Sequence, residues 1–173
     1  IEYFGRDPFA NHPGIRLLDE NGDLKPEVLE ILDLIKEYDA TVATGHISIG
    51  ESIAVCNAAR ERGVRTVLTH PDWTCTTVPA DVQTQLVKKG VILEKLWFDI
   101  GINHVTAEYM AQTIRDAGVE NCFMATDRGQ SGKEYPVEGL MMFMDAMLDC
   151  GFSVEEIHIM THENPERMLG LRP

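Results

Sequence analysis

Residues 41–51 read TVATGHISIGE, and the interpretation of the whole chain starts from this stretch. Its β-branched beginning is typical of a buried strand, whereas Ser48, followed three residues later by Glu51, is the capping-box pattern that begins a helix. His46 therefore lies where a predicted strand ends and a loop begins. Parallel α/β sheets and barrels carry their chemistry at this position, so His46 is the first candidate functional residue.

The same order of strand, polar strand end and helix repeats along the chain. The pattern predicts strands at residues 41–46, 64–70, 91–98 and 122–127, and helices at 26–38, 49–62, 79–89, 106–117 and 136–149. A second capping-box pattern, Ser153 with Glu156, begins a final helix. Residues 1–22 are predicted to be a connecting loop with a short strand at 14–18, and residues 23–173 to hold the βα units and C-terminal helices of a single domain.

Alternating strands and helices predict an α/β fold with a parallel sheet. Two architectures agree with this pattern: an open doubly wound sheet, or half of an eight-stranded barrel. The length of 173 residues by itself favours the open sheet, because a whole barrel takes roughly 250 residues.

Composition limits the range of partners. Lys and Arg number 15 against 28 Asp and Glu, a net charge of −13, which repels phosphate backbones and anionic lipids. We therefore expect neither nucleic-acid nor membrane binding, and no apolar run approaches the roughly 20 residues of a membrane span. Cys56, Cys75, Cys122 and Cys150 have no CxxC spacing, so they are expected to be reduced structural cysteines of a cytoplasmic protein.

Three of the four predicted strands end in a side chain that can bind metal: His46, His70 and Asp127. Parallel strands bring their C-terminal ends to one edge, so these side chains can converge although they are far apart in sequence. Two imidazoles and a carboxylate are a ligand set for zinc, manganese or iron. Taken singly, each residue also has a structural interpretation, as a hydrogen-bonded histidine or as an aspartate that caps a turn.

These motifs together resemble a known family. The resemblance rests on four segments in order, which are Thr44-Gly-His46 with Ser48 and Glu51, Thr69-His70-Pro71, Thr126-Asp127 with Gly129-Gln130, and residues 164–171, NPERMLGL. From about Gly22 to the C-terminus the chain is similar to the C-terminal half of an amidohydrolase-superfamily barrel, and most similar to an uncharacterised, amidohydrolase-related branch.

The resemblance implies that the four strands are strands five to eight of a TIM-type (β/α)8 barrel. It assigns metal binding to His46, His70 and Asp127, with Asp127 also the catalytic proton-transfer group and zinc the first choice of metal. The His-x-His pair of the family's first strand and the lysine or glutamate of its fourth are not in this chain. Because a half-barrel would expose two unpaired sheet edges, we expect the N-terminal half to lie outside this chain or to come from another chain, with a homo-oligomer as one alternative.

Other residues near the predicted strand ends are candidates for substrate contacts: Trp73, Glu94, Arg128 and Gln130. Glu94 and Lys95 are adjacent in a strand, so only one of them can face a barrel interior. Glu94 would contact substrate or water there, whereas Lys95 would suit a Schiff-base lysine; alternatively both reach solvent or pair locally.

The expected function is that of a metal-dependent hydrolase which activates water to attack an amide, ester or lactone-like bond of a small molecule. Two alternatives remain open. One is a metal-dependent decarboxylase or other lyase on the same barrel, and the other is a non-catalytic barrel fragment with a role in binding or assembly.

Overall fold

The computed structural model of the chain describes residues 14–73, 76–101 and 105–171. The strands are β1 (Thr41–Ala43), β2 (Arg65–Leu68), β3 (Ile92–Leu96) and β4 (Cys122–Ala125). The helices are α1 (Pro26–Glu37), α2 (Ile49–Glu61), α3 (Ala80–Lys88), α4 (Ala107–Ala117), α5 (Pro136–Asp149), α6 (Val154–His158) and α7 (Asn164–Met168), and a π-helical turn, Ile159–Glu163, joins the last two. This is the predicted alternation of strands and helices.

All four strands are parallel and lie side by side in chain order, β1-β2-β3-β4. Val42 pairs with Thr66, Leu68 with Leu93, and Leu96 with Ala125. The predicted α/β class with a parallel sheet is therefore confirmed. Because parallel strands end on the same edge, this sheet brings the loops after β1 to β4 together at its C-terminal edge.

The main core lies between one face of the sheet and the helices. It contains Leu68, Leu93 and Met124 from the strands, packed with Met110 and Phe143 from helices α4 and α5. The alternating residues of the same strands point to the opposite face, because successive side chains of a strand alternate. There a smaller cluster forms from Val67, Ile92 and Phe123.

Local sequence signals determine where two helices begin. The Ser48 hydroxyl accepts a hydrogen bond from the Glu51 backbone N–H (3.3 Å), and the Glu51 carboxylate accepts one from the Ser48 N–H (3.2 Å). Ser153 and Glu156 form the same reciprocal pair. Both predicted capping boxes are confirmed, and each satisfies backbone donors that a helix N-terminus leaves unpaired.

The predicted strand at 14–18 is wrong. Residues 1–13 of the predicted loop lie outside the described residues, and from Gly14 onward the chain forms one isolated bridge, between Leu18 and Leu24. A contact with α2 holds this segment in place, since the Leu17 N–H donates a hydrogen bond to the Glu51 carboxylate (2.7 Å). The four other strands are shorter than predicted, because the backbone turns before the polar residues at their ends.

Within the described residues, no helix is long and apolar enough to cross a membrane. Cys56 and Cys122 are buried and Cys150 is half-buried, and all three are free thiols. Cys75 lies outside the described residues.

Candidate functional site

The loops after three of the strands turn in the same way. Two residues beyond β1, β2 and β4, respectively, Gly45, His70 and Asp127 adopt positive φ angles of 62°, 50° and 47°. This left-handed conformation is uncommon outside glycine, although His, Asn and Asp adopt it more often than other residues do. His70 and Asp127 thus occupy equivalent positions in their loops. In the loop after β1 this position belongs to Gly45, and His46 lies one residue further on.

The structure brings the three predicted ligands to one place. His70 Nε2 lies 3.6 Å from Asp127 Oδ2, and the ring centroids of His46 and His70 are 5.0 Å apart. His70 is buried, the Asp127 side chain is 45% exposed, and His46 is exposed. The site is therefore open on the side of Asp127 and His46 and closed behind His70.

A fourth residue of the cluster, Asp99, is missing from the sequence prediction. It ends the short 3-10 turn Trp97–Asp99 directly after β3, and its buried Oδ1 lies 3.4 Å from His70 Nδ1. Its Oδ2 is also buried and has no hydrogen-bond partner among the residues described. The sequence did contain a signal for Asp99. This polar residue directly follows the predicted strand 91–98, which is the one predicted strand to which no metal ligand was assigned.

The charges around His70 oppose the effect of burial on its pKa. Burial lowers the pKa of the His70 imidazole, but the hydrogen bond and charge of Asp99, together with the charges of Glu94 and Asp127, outweigh it and raise this pKa above its usual value. Burial likewise raises the pKa values of Glu94 and Asp99, against the lowering effect of His70. One imidazole thus lies among three carboxyl groups, an arrangement typical of sites that bind cations or transfer protons.

Aromatic rings close the site around the histidines. The Trp73 ring centroid lies 4.9 Å from that of His46 and 5.3 Å from that of His70, and the Phe98 centroid lies 6.4 Å from that of His70. Trp73 is buried, so in this structure its ring packs against the two imidazoles.

The two polar candidates after β4 have partners within their own loop. The Arg128 guanidinium forms an ion pair with Glu134, and its side chain is only 8% exposed. Gln130 is exposed, and its amide donates to the Asp127 carbonyl oxygen (2.8 Å). In the structure both residues therefore support the loop that carries Asp127.

The structure decides which of the neighbouring residues Glu94 and Lys95 faces the histidines. The Glu94 carboxyl group lies on the histidine side, where burial raises its pKa, the charge and backbone of His70 lower this pKa, and the charge of Asp127 raises it. The Lys95 side chain is fully buried on the helix side of the sheet, where it donates to Asp72. Since Lys95 does not face the cluster, its geometry does not suit a Schiff-base role there.

The cluster meets the geometry of a metal site only in part. Within the described residues, no group of three or more His, Cys, Asp or Glu side chains has an arrangement that could hold a metal ion. The pair His70 and Asp127 nevertheless fits two corners of a site, because two donors at roughly 2.0–2.2 Å from a tetrahedral ion are roughly 3.4 Å apart. The contact from His70 Nδ1 to Asp99 also fits, since metal-binding histidines commonly donate their other ring N–H to a carboxylate.

These features define a parallel α/β protein with a histidine and carboxylate cluster at the C-terminal edge of its sheet. A family of unknown function, DUF6282, matches residues 1–94, which is more than half of the 173-residue chain. The chain belongs to this family. Comparisons with curated proteins and with solved structures found no significant match.

Proposed function

We propose that the chain forms strands five to eight of a TIM-type barrel and carries part of the site of a metal-dependent hydrolase. The strand order supports this architecture, because strands that follow each other side by side with their helices packed on one face are typical of a barrel. A doubly wound sheet would instead reverse its strand order at a switch point. As expected for half a barrel, β1 and β4 each have only one neighbouring strand among the described residues.

The observation that carries the function is the approach of His70 to Asp127, with His46 beside them. Together with ligands from the rest of the barrel, which these three residues need to complete the site, they would hold a divalent ion, with zinc as the first choice and manganese or iron as alternatives. Such an ion, when bound, supplies a Lewis acid for a carbonyl and acidifies water toward neutral pH.

The other residues of the cluster have separate tasks in this proposal. Asp99 accepts from His70 Nδ1 and so leaves the Nε2 lone pair directed toward Asp127. Asp127, which is partly exposed, accepts the proton of the attacking water and passes it to the leaving group. Trp73 and Glu94 line the place of a small substrate with an amide, ester or lactone-like bond.

The test is a metal analysis of a full-length preparation, combined with hydrolysis assays of amide, ester and lactone substrates. Asp127→Asn is the informative variant, since asparagine tolerates the left-handed backbone but does not accept the proton. Asp116→Asn, an exposed position on α4, is the matched control. We expect bound divalent metal and loss of turnover in Asp127→Asn only. Undetectable metal together with unchanged activity in Asp127→Asn would overturn the proposal.

A further inference from the structure

A buried ion pair lies behind the sheet, on the side away from the histidines. The Lys95 ammonium group donates to Asp72 Oδ2 (2.7 Å), Gln83 Oε1 (2.9 Å) and Thr113 Oγ1 (3.0 Å). Lys95 and Asp72 have side chains that are 0% exposed. An ammonium group has three donors, so Lys95 is fully satisfied where it lies.

Asp72 is satisfied equally well. Its Oδ1 accepts from Gln83 Nε2 (3.1 Å), and the same amide group donates to the Val78 carbonyl oxygen (2.8 Å). The pair therefore connects β3, α3 and α4 with the loop that follows β2. A buried ion pair is often no more stabilising than apolar residues of the same volume, so stability alone does not account for it.

The loop that the pair holds is the one that carries His70. Asp72 is two residues after His70, whose backbone has the positive φ of 50°. The Thr76 hydroxyl donates to the His70 carbonyl oxygen, and the Val78 N–H donates to that of Pro71 (2.8 Å). A side chain anchored at Asp72 thus limits where the His70 ring can lie.

We propose that Lys95 and Asp72 are positioning residues for His70. By holding the loop from behind the sheet, they keep His70 Nδ1 in reach of Asp99 and Nε2 in reach of Asp127. The part of this inference that concerns metal affinity rests on the proposed function, whereas the part that concerns the tautomer of His70 does not.

The experiment compares wild type with Lys95→Met, Asp72→Asn and the double variant, in the full chain. Either single change leaves a buried group without its partner, whereas the double variant removes both charges and is expected to recover much of the lost thermal stability. The readouts are the thermal unfolding midpoint, Co²⁺ affinity, and the ¹⁵N NMR signals of the His70 ring, recorded at a pH above its pKa, where the neutral ring's signals report its tautomer. Leu32→Ala is the control. It creates a cavity in the separate cluster around α1, and so lowers stability without touching the loop that carries His70.

We expect the double variant to give mixed His70 tautomers and at least tenfold weaker Co²⁺ binding, while Leu32→Ala keeps the wild-type His70 signals. If the double variant does not fold, Thr113→Val, which removes one acceptor of the Lys95 ammonium group while both charges stay, provides the same readouts with a smaller expected change. Wild-type His70 signals in these variants, or an equal change in Leu32→Ala, would overturn the positioning role. Absence of Co²⁺ binding in wild type, with His70 signals that still respond, would count against the metal site but not against this role.

Discussion

His70 Nδ1 lies 3.4 Å from Oδ1 of Asp99, a residue 29 positions further along the chain that comes from the end of the neighbouring strand. The contact crosses from the loop after β2 to the turn after β3. In the tautomer with the hydrogen on Nδ1, this contact orients the imidazole and leaves the lone pair on Nε2.

Asp99→Asn tests this contact. Asparagine keeps the size and an acceptor oxygen but removes the charge, so the variant should fold, and if the proposed metal site is correct it should bind a divalent ion about 10- to 100-fold more weakly than wild type. Competition with a chromophoric chelator measures the affinity, and Asp116→Asn is the charge-matched control. Equal affinity in wild type and Asp99→Asn would show that Asp99 does not support the ligand.

The loop after β4 should resist mild acid. The hydrogen bond from the Arg128 guanidinium is the largest of the effects that lower the pKa of Glu134 to about 2. Because this folded-state pKa lies below the ordinary value of 4.5, the stabilising contribution is complete above about pH 4.5 and is lost as the pH falls toward 2.

The indole N–H of Trp97, which also donates to Glu134, reports on this loop. We expect its NMR signal to stay constant from pH 7 to about pH 3, and Glu134→Gln to shift it at every pH. A transition centred near pH 4.5 in wild type would contradict the lowered pKa.

Two cysteines should be unreactive in the folded chain. Burial raises the pKa values of the Cys56 and Cys122 thiols to about 12, so almost no thiolate forms near pH 8. Labelling with a thiol reagent followed by peptide mapping should leave both unmodified in the native protein and modified in denaturant. Rapid native labelling of either cysteine would show that its surroundings open readily.

Gly45→Ala should destabilise the loop that carries His46. A Cβ at position 45 meets no atom within 4 Å, so crowding is not the cause. The positive φ of 62° should lower the unfolding free energy of the alanine variant by about 1–2 kcal/mol. Gly50→Ala is the matched control, since Gly50 is helical and equally uncrowded, and there alanine should stabilise by up to about 1 kcal/mol. Chemical denaturation measures both changes, and equal effects in the two variants would contradict the argument from backbone conformation.

Asn164 should matter for stability although it is far from the cluster. Its buried amide donates to the carbonyl oxygens of Val119 and Cys122 (2.7 and 2.6 Å), and thereby ties α7 to the beginning of β4. Asn164→Ala would remove both of these hydrogen bonds, although the Val119 carbonyl keeps the one it accepts from the Cys122 N–H, and should cost about 1–3 kcal/mol of unfolding free energy. Asn57→Ala, which loses only an exposed bond to Lys89, should change it by less than about 0.5 kcal/mol.

Much of the fold could be predicted from local patterns. The capping boxes at Ser48 and Ser153 mark helix beginnings because the partners are three residues apart and need no other part of the chain. The parallel sheet followed from the alternation of strands and helices. The predicted strand at 14–18 was wrong because an apolar run needs a neighbouring strand to pair with, and the structure provides only the bridge from Leu18 to Leu24.

The sequence by itself determined the alternation of four strands with helices, the α/β class and the placement of His46, His70 and Asp127 just beyond strand ends, because these depend on short-range pattern. Only the tertiary structure decided that Asp99 reaches His70 and that Lys95 faces the helices while Glu94 faces the cluster. Strand periodicity places Glu94 and Lys95 on opposite faces but does not say which face receives the helices. That choice depends on packing between segments far apart in the chain, which no local pattern records.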